Sequence, residues 1–316
     1  MLREVVIISG KGGTGKTCLT AAFAHLAVKP VVCDLDVDAP DLHLLLNPQN
    51  RTTQEFVSGH TAVITDRCDS CGNCIDWCHF EAIRTQKPHP TVNPLKCEGC
   101  KVCVARCPLD AIDFADKQCG RWHLADTRFG PMIHAQLFPG EENSGKLVTL
   151  LKNKARALAR ERQLDLILAD GPPGIGCPVI SSLAGANLAV AVTEPTPSGI
   201  HDLERVIDLC DHFRLPAAVV INKWNLNSEL SQQIKIFCSQ KKITFLGELP
   251  YDPAIVEAMV RRQTITEYRP NGTAGLIRGI WKAIQALVEM PQSQGWKNIM
   301  GNNILSQNHL ERSNSV

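Results

Sequence analysis

Eight residues near the start of the chain, "GKGGTGKT" from Gly10 to Thr17, limit its fold more than any other stretch. They fit the pattern G-x-x-x-x-G-K-[ST] and stand between a β-branched run, "EVVIIS", and a segment that puts Leu19, Ala22, Phe23 and Leu26 on one helical side. A strand, a glycine loop and a helix in that order aim backbone N–H groups inward at a helix N-terminus, where partial positive charge collects. Side chains at Gly10, Gly12, Gly13 or Gly15 would block phosphate oxygens from those groups. The run from Gly10 through Thr14 to Cys18 is therefore expected to line ATP or ADP. Lys16 is expected to reach the β- and γ-phosphates and Thr17 to take a place on Mg²⁺.

The rest of the chain alternates in a way that suits such a unit. "PVVCDLD", "LDLILAD", "ANLAVAVTE", "PAAVVIN" and "ITFLGELP" are continuous apolar runs, as in strands covered on both faces. Between the later ones, "SGIHDLERVIDLCDHF" and "LNSELSQQIKIFCSQ" have helical spacing, with Ser or Asn near their starts. This predicts an α/β fold, a doubly wound and mostly parallel sheet. "RWHLADT" and "MIHAQLF" read as a hairpin or two edge strands. "GLIRGIWKAIQALVEM" reads as a last helix docked through Leu276, Ile277, Ile280, Ile284, Leu287 and Val288. The Asn-, Gln- and Ser-rich residues 291–316 are expected to be a disordered tail.

Between Asp66 and about Ala115 the texture changes to dense Cys and Pro. An ATPase domain over 1–65 and 116–290, interrupted by a small domain at 66–115, is the organisation this predicts. The chain holds fourteen cysteines, and eight of them fall here in two matched halves, Cys68 to Cys78 and Cys97 to Cys107. Each half reads C-x₂-C-x₂-C-x₃-C. Clustering of this kind points to metal rather than disulfides. Three cysteines spaced two apart can wrap three corners of a cubane, whereas tetrahedral zinc uses isolated C-x₂-C pairs.

The cassette resembles the bacterial ferredoxin run for two [4Fe–4S] clusters, down to Pro108 after the last cysteine. The resemblance implies crossed ligation: Cys68, Cys71 and Cys74 with Cys107 on one cluster, Cys97, Cys100 and Cys103 with Cys78 on the other. The first half departs from the pattern by placing His79 where the run has proline. No ligand is lost, and an altered hydrogen-bonding environment and potential are expected for the cluster that Cys78 serves.

Lys11, a second lysine early in the glycine loop, makes the loop resemble the deviant phosphate loop of the MinD/ParA family, the nitrogenase iron protein among them. The resemblance implies that Lys11 crosses a dimer interface to the partner's nucleotide, so that an ATP-dependent homodimer forms. It also makes "CDLDVDAP" a first switch, with Asp36 helping to hold Mg²⁺ and position the attacking water and Asp34 preceding it. "LILADGPPGIG" becomes a second switch with the Walker B aspartate, Asp170. Lys11, Lys16, Asp36 and Asp170 are thus the expected catalytic set, with Thr17, Asp36 and Asp170 at Mg²⁺. Asn222 and Lys223, and "LPYD" with Tyr251 and Asp252, resemble segments that receive the adenine. "GEENSGKLV" also looks like the ferredoxin-containing branch of the superfamily. Cys177 follows the second switch, where the iron protein has a cluster ligand; its counterpart cysteine has no match here, so a buried structural thiol is expected. Cys18, Cys33, Cys210 and Cys238 are expected in the core.

Net charge is +1, and "VRRQ" and "RALARER" are short runs suited to solvated helix faces. No nucleic-acid partner is expected from them. With no leader-like start and no apolar run of membrane length, a cytoplasmic location and a reducing environment are expected. Three functions remain. The first is ATP-dependent dimer closure coupled to electron transfer toward a redox or iron–sulfur partner. The others are an iron–sulfur cluster scaffold or carrier, and a positioning ATPase with structural clusters.

Overall fold

In a computed structural model that describes residues 2–141 and 144–289, the chain builds one large sheet with helices on both faces. Strand β1 (Arg3–Ser9) leads through the glycine loop into α1 (Lys16–Leu26), then β2 (Val31–Asp34), α2 (Leu42–Leu46) and the long β3 (Gln49–Ile64). After the cysteine region, which holds α3 (Asn73–Asp76), β4 (Ile83–Arg84), β5 (Thr91–Val92) and α4 (Val102–Ala105), come β6 (Ile112–Asp126), β7 (Pro131–Leu137) and α5 (Ser144–Glu161). The second half alternates β8 (Leu166–Pro173), α6 (Cys177–Leu183), β9 (Leu188–Thr193), α7 (Pro197–His212), β10 (Ala217–Asn222), α8 (Ser228–Gln240) and β11 (Thr244–Leu249). Helices α9 (Ala254–Val260), α10 (Ile265–Tyr268) and α11 (Thr273–Glu289) follow.

The sheet order is β11-β10-β9-β1-β8-β2-β7-β6-β3. Seven neighbouring strands run parallel, and β6 and β3 add antiparallel to one edge. Alternate residues of β1 serve opposite faces. Val6 and Ile8 join the core formed with α5, α6, α7 and α8, while Val5 and Ile7 join that of α1, α2, α10 and α11. All four are fully buried, each stabilising the fold by about 1.5–3 kcal/mol. Phe23 of α1 stacks on Trp281 of α11, ring centroids 5.4 Å apart. The last helix docks through Ile277, Ile280, Trp281, Ile284 and Leu287, whereas Leu276, expected in that face, is exposed. Its offset from Ile280 and Ile284 turns it one step too far round the helix.

Before Gly120, β6 pairs with β3 alone, so this part of the two strands leaves the sheet as an arm. At its tip Ala62 and Ile112 form a separate small core with Cys74, Ile83 and surrounding thiols. Residues 112–115, placed within the insert by sequence, are thus strand residues that floor this core from the arm. The 291–316 tail and Glu142 and Asn143 of "GEENSGKLV" lie outside the described residues. No described helix is long and apolar enough to cross a membrane.

Candidate functional site

The C-terminal ends of β1, β2 and β8 meet at the N-terminus of α1, where a doubly wound sheet places its ligand crevice. Helix α1 starts at Gly15, whose φ of 89° lies in the left-handed region, and no side chain caps its free N–H groups. Uncapped donors at a helix start form an anion site. A Cβ on Gly15 would collide with the Asn222 amide, which donates from Nδ2 to the Thr14 carbonyl at 2.8 Å. The glycine here is therefore set by a strand far away in sequence as much as by its own turn.

Lys16 Nζ lies 3.2 Å from Asp170 Oδ1 and 3.6 Å from Asp36 Oδ2. Thr17 Oγ1 donates to Asp170 Oδ2 at 2.7 Å, and Thr20 Oγ1 to Oδ1 at 2.9 Å. Burial alone would lower the Lys16 pKa, but Asp170, Asp36 and Asp34 together raise it above its ordinary value. Burial, followed by the Asp170 charge, drives Asp34 well above the usual carboxylate range. Its carboxylate accepts from the Asp36 and Leu42 N–H groups, each at 3.2 Å, and so shapes the segment between β2 and α2. Burial also raises Asp36, against the pull of Lys16. Three carboxylates thus surround one ammonium, an oxygen-rich set suited to a hard divalent cation once phosphates draw Lys16 away.

A cavity of about 960 Å³ opens over the loop, lined by Gly12 to Cys18, Asp36, Asn222, Lys223, Tyr251 and Asp252. Gly10, Lys11 and Asp170 do not line it. Asp170 is buried behind Lys16, and Gly10 packs so tightly on Asp202 of α7 that a Cβ there would strike its backbone. Cys18, expected in the core, is half-buried at the cavity wall beside Met259, and burial pushes its thiol up to about 11. Sequence reasoning missed the apolar wall from Val256, Met259 and Ile277; the helical spacing of "AIVEAMV" carries it in outline.

Lys11 faces its own subunit. Its Nζ lies 2.7 Å from Glu194 Oε1 and donates to Thr196 Oγ1 at 3.1 Å and Ser198 Oγ at 3.3 Å. Lys223 Nζ takes the other oxygen of Glu194 at 3.1 Å and donates to the Gly13 carbonyl at 3.0 Å. Burial would raise the Glu194 carboxyl, but hydrogen bonds from Lys11 and Lys223 outweigh it and hold the carboxyl below its usual range. Glu194 was not singled out from sequence, since nothing in "VTEPTPSG" announces its partners.

At the tip of the arm the eight cysteines separate into two cavities. One is lined by Cys68, Cys71, Cys74 and Cys107, the other by Cys97, Cys100, Cys103 and Cys78. Each fourth cysteine accepts a backbone N–H bond at sulfur, Ala82 to Cys78 at 3.3 Å and Ala111 to Cys107 at 3.2 Å. Glu81 and Asp110 occupy matching left-handed positions, φ 49° and 47°. At Cys78 the backbone bond to sulfur is thus kept with His79 as it is at Cys107 with Pro108. His79 packs edge-on against Phe80. Among the described residues, no group of three or more His, Cys, Asp or Glu converges to hold a single metal ion.

Cys33, Cys119, Cys210 and Cys238 are buried. Cys177, expected buried, is exposed at the first position of α6. The Pro-Gly segment before it carries the helix start out to the surface.

The family model described as CobQ/CobB/MinD/ParA nucleotide binding domain matches residues 5–265. An uncharacterised protein of Methanocaldococcus jannaschii, MJ0578, is 36% identical over 242 residues, 76% of this chain and 84% of that one. The cell division ATPase MinD of Pyrococcus furiosus superposes with a TM-score of 0.56 at 18% identity, covering 91% of this chain and all of that one. MinD of Pyrococcus horikoshii, solved with Mg-ADP, gives 0.55 at 18% identity over 92% and 98% of the two chains.

Proposed function

The chain belongs to the CobQ/CobB/MinD/ParA nucleotide-binding family, and from that premise we propose an ATPase whose nucleotide-dependent dimerisation governs electron transfer through two [4Fe–4S] clusters. It is a nucleotide-binding ATPase of the MinD/ParA type, with an α/β P-loop fold and a mostly parallel sheet. The glycine loop and Lys16 would hold the phosphates, and Asn222, Lys223 and Tyr251 would border the base. Thr17, Asp36 and Asp170 would hold Mg²⁺, which supplies charge neutralisation at the β- and γ-phosphates. Asp36, on the wall of the cavity, would orient a water toward the γ-phosphate. Lys11 would reach a partner subunit's nucleotide after leaving Glu194.

What supports the iron–sulfur reading is the sorting of the cysteines, with Cys107 among the first set and Cys78 among the second. A cubane holds its four thiolates on separate iron atoms, so they surround a volume rather than meet at one point. The donors therefore fit such a group, and bound there it would accept and release single electrons. The backbone N–H groups at Cys78 and Cys107 would stabilise charge on the sulfurs. The arm that carries this domain at residues 66–115 starts just after α2, so the domain's mount adjoins the Asp36 segment.

Anaerobic purification with iron and sulfide analysis, followed by EPR of the reduced protein, tests this directly. Two interacting [4Fe–4S] signals are expected, with potentials that move between Mg-ADP and a nonhydrolysable Mg-ATP analogue. Transfer of the clusters to an apo-protein would favour a carrier instead. Absence of iron with nucleotide-dependent binding to vesicles would favour a positioning ATPase.

A further inference from the structure

We propose that Glu194 is a positioning residue for the nucleotide-dependent step, a carboxylate latch that holds Lys11 within its own subunit and hands over to Lys223 when Lys11 leaves. The proposal rests on the reading that Lys11 acts across a dimer. Glu194 follows β9, which lies beside β1, so its carboxylate comes up against the start of the phosphate loop. Its two oxygens are divided between two ammonium groups, 2.7 Å to Lys11 and 3.1 Å to Lys223.

The two lysines are not equivalent. Lys11 takes its partners from Glu194, Thr196 and Ser198, all at the entrance to α7. Lys223 is also anchored to the loop itself, through the Gly13 carbonyl, and it lines the nucleotide cavity. When Lys11 departs, Glu194 keeps one cation, and a mostly buried carboxylate is never left bare. Without Lys223, release of Lys11 would strand that charge. Phosphates entering the loop repel the Glu194 carboxylate and attract Lys11, while Lys223 stays tied to the Gly13 carbonyl, so nucleotide weakens the latch on Lys11 by the same charge that fills the site. Lys11 is thereby kept from other subunits until the loop is loaded.

Two readouts separate the latch from a structural role. In the nucleotide-free full-length protein, lysine acetylation followed by mass spectrometry is expected to modify Lys11 about tenfold faster in Glu194→Gln than in the wild type, as loss of a charge-assisted contact implies. Ser198→Ala, a milder change, is expected to move the rate the same way by less. With a nonhydrolysable Mg-ATP analogue, sedimentation velocity is expected to show Glu194→Gln dimerising at a lower protein concentration than the wild type. That gain should vanish in Lys11→Met/Glu194→Gln. Unchanged Lys11 labelling, or a gain that survives in the double variant, overturns the proposal. If the wild type dimerises and Glu194→Gln does so at the same concentration, the latch alone falls. If neither dimerises, the two-subunit reading falls and takes the latch with it.

Discussion

Asp34 and Asp170 stand as register partners on the adjacent parallel strands β2 and β8, both shut away from solvent. Two carboxylates side by side in a low dielectric repel strongly, and Lys16 is the cation within reach of the pair. The centre of the site is thus a coupled cluster, richer in carboxylate than in ammonium, in which each charge depends on the others.

Lys16→Met removes the cation of that cluster. Stranding the carboxylates is expected to cost about 3–5 kcal/mol at neutral pH, measured by urea unfolding without nucleotide. Asp34 has a raised pKa in the folded state. Between the folded and unfolded values the folded protein binds the proton that the unfolded chain does not, so acidification through that window favours folding. The deficit of Lys16→Met should therefore shrink as pH falls toward the ordinary carboxylate range. A deficit that stays constant with pH would place the cost elsewhere.

Gly15→Ala puts a methyl group into the Asn222 amide at a left-handed backbone position. The conformational cost is about 1–2 kcal/mol, and the Asn222 to Thr14 bond has to open. Affinity for a fluorescent ADP analogue is expected to fall about tenfold or more, with far-UV circular dichroism retained.

Single cysteine variants distinguish crossed from sequential grouping. Cys68→Ala and Cys107→Ala are expected to lose the same EPR component, and Cys97→Ala and Cys78→Ala the other. If Cys107→Ala instead removes the component lost with Cys97→Ala, the grouping proposed for the two cavities is wrong.

His134 lies between His43 and His123, stacked at centroid distances of 5.9 and 4.7 Å. Burial, then the charges of His123 and His43, lower it to about 4. The unfolded chain takes up this proton near pH 6.5 and the folded protein only near 4. Its contribution is complete above about pH 6.5 and is lost as pH falls toward 4, with a slope of about 1.4 kcal/mol per pH unit for one proton. His134→Phe keeps the stack and is expected to flatten the urea midpoint between pH 7 and 5 relative to wild type.

Much of the nucleotide site was legible because it is local. Val5 to Ile8, the glycine loop and Leu19 to Phe23 are consecutive, and their periodicity encodes strand, turn and helix without outside help. Asp170 was legible through the resemblance of "LILADGPPGIG" to a second switch, at the polar end of an apolar strand. The surface position of Cys177 was not, nor was Trp281 in place of Leu276, because a helix's spacing does not say where its neighbours stop. Glu194 was invisible for a related reason: its partners Lys11 and Lys223 follow strands whose places beside β9 are a property of the sheet order.

The sequence by itself determined a phosphate loop at a helix start, a mostly parallel sheet, and two matched sets of thiols, since each depends on residues a few positions apart. Only the tertiary structure decided that Lys11 rests on Glu194 and that Asp34 crowds Asp170, and it put Cys107 at the cavity of Cys68, as the ferredoxin resemblance had implied. Those pairings follow from the order β9-β1-β8-β2 and from the fold-back of the arm, which buried area and backbone hydrogen bonding select over the whole chain. Charge and distance then give the paired residues their chemistry.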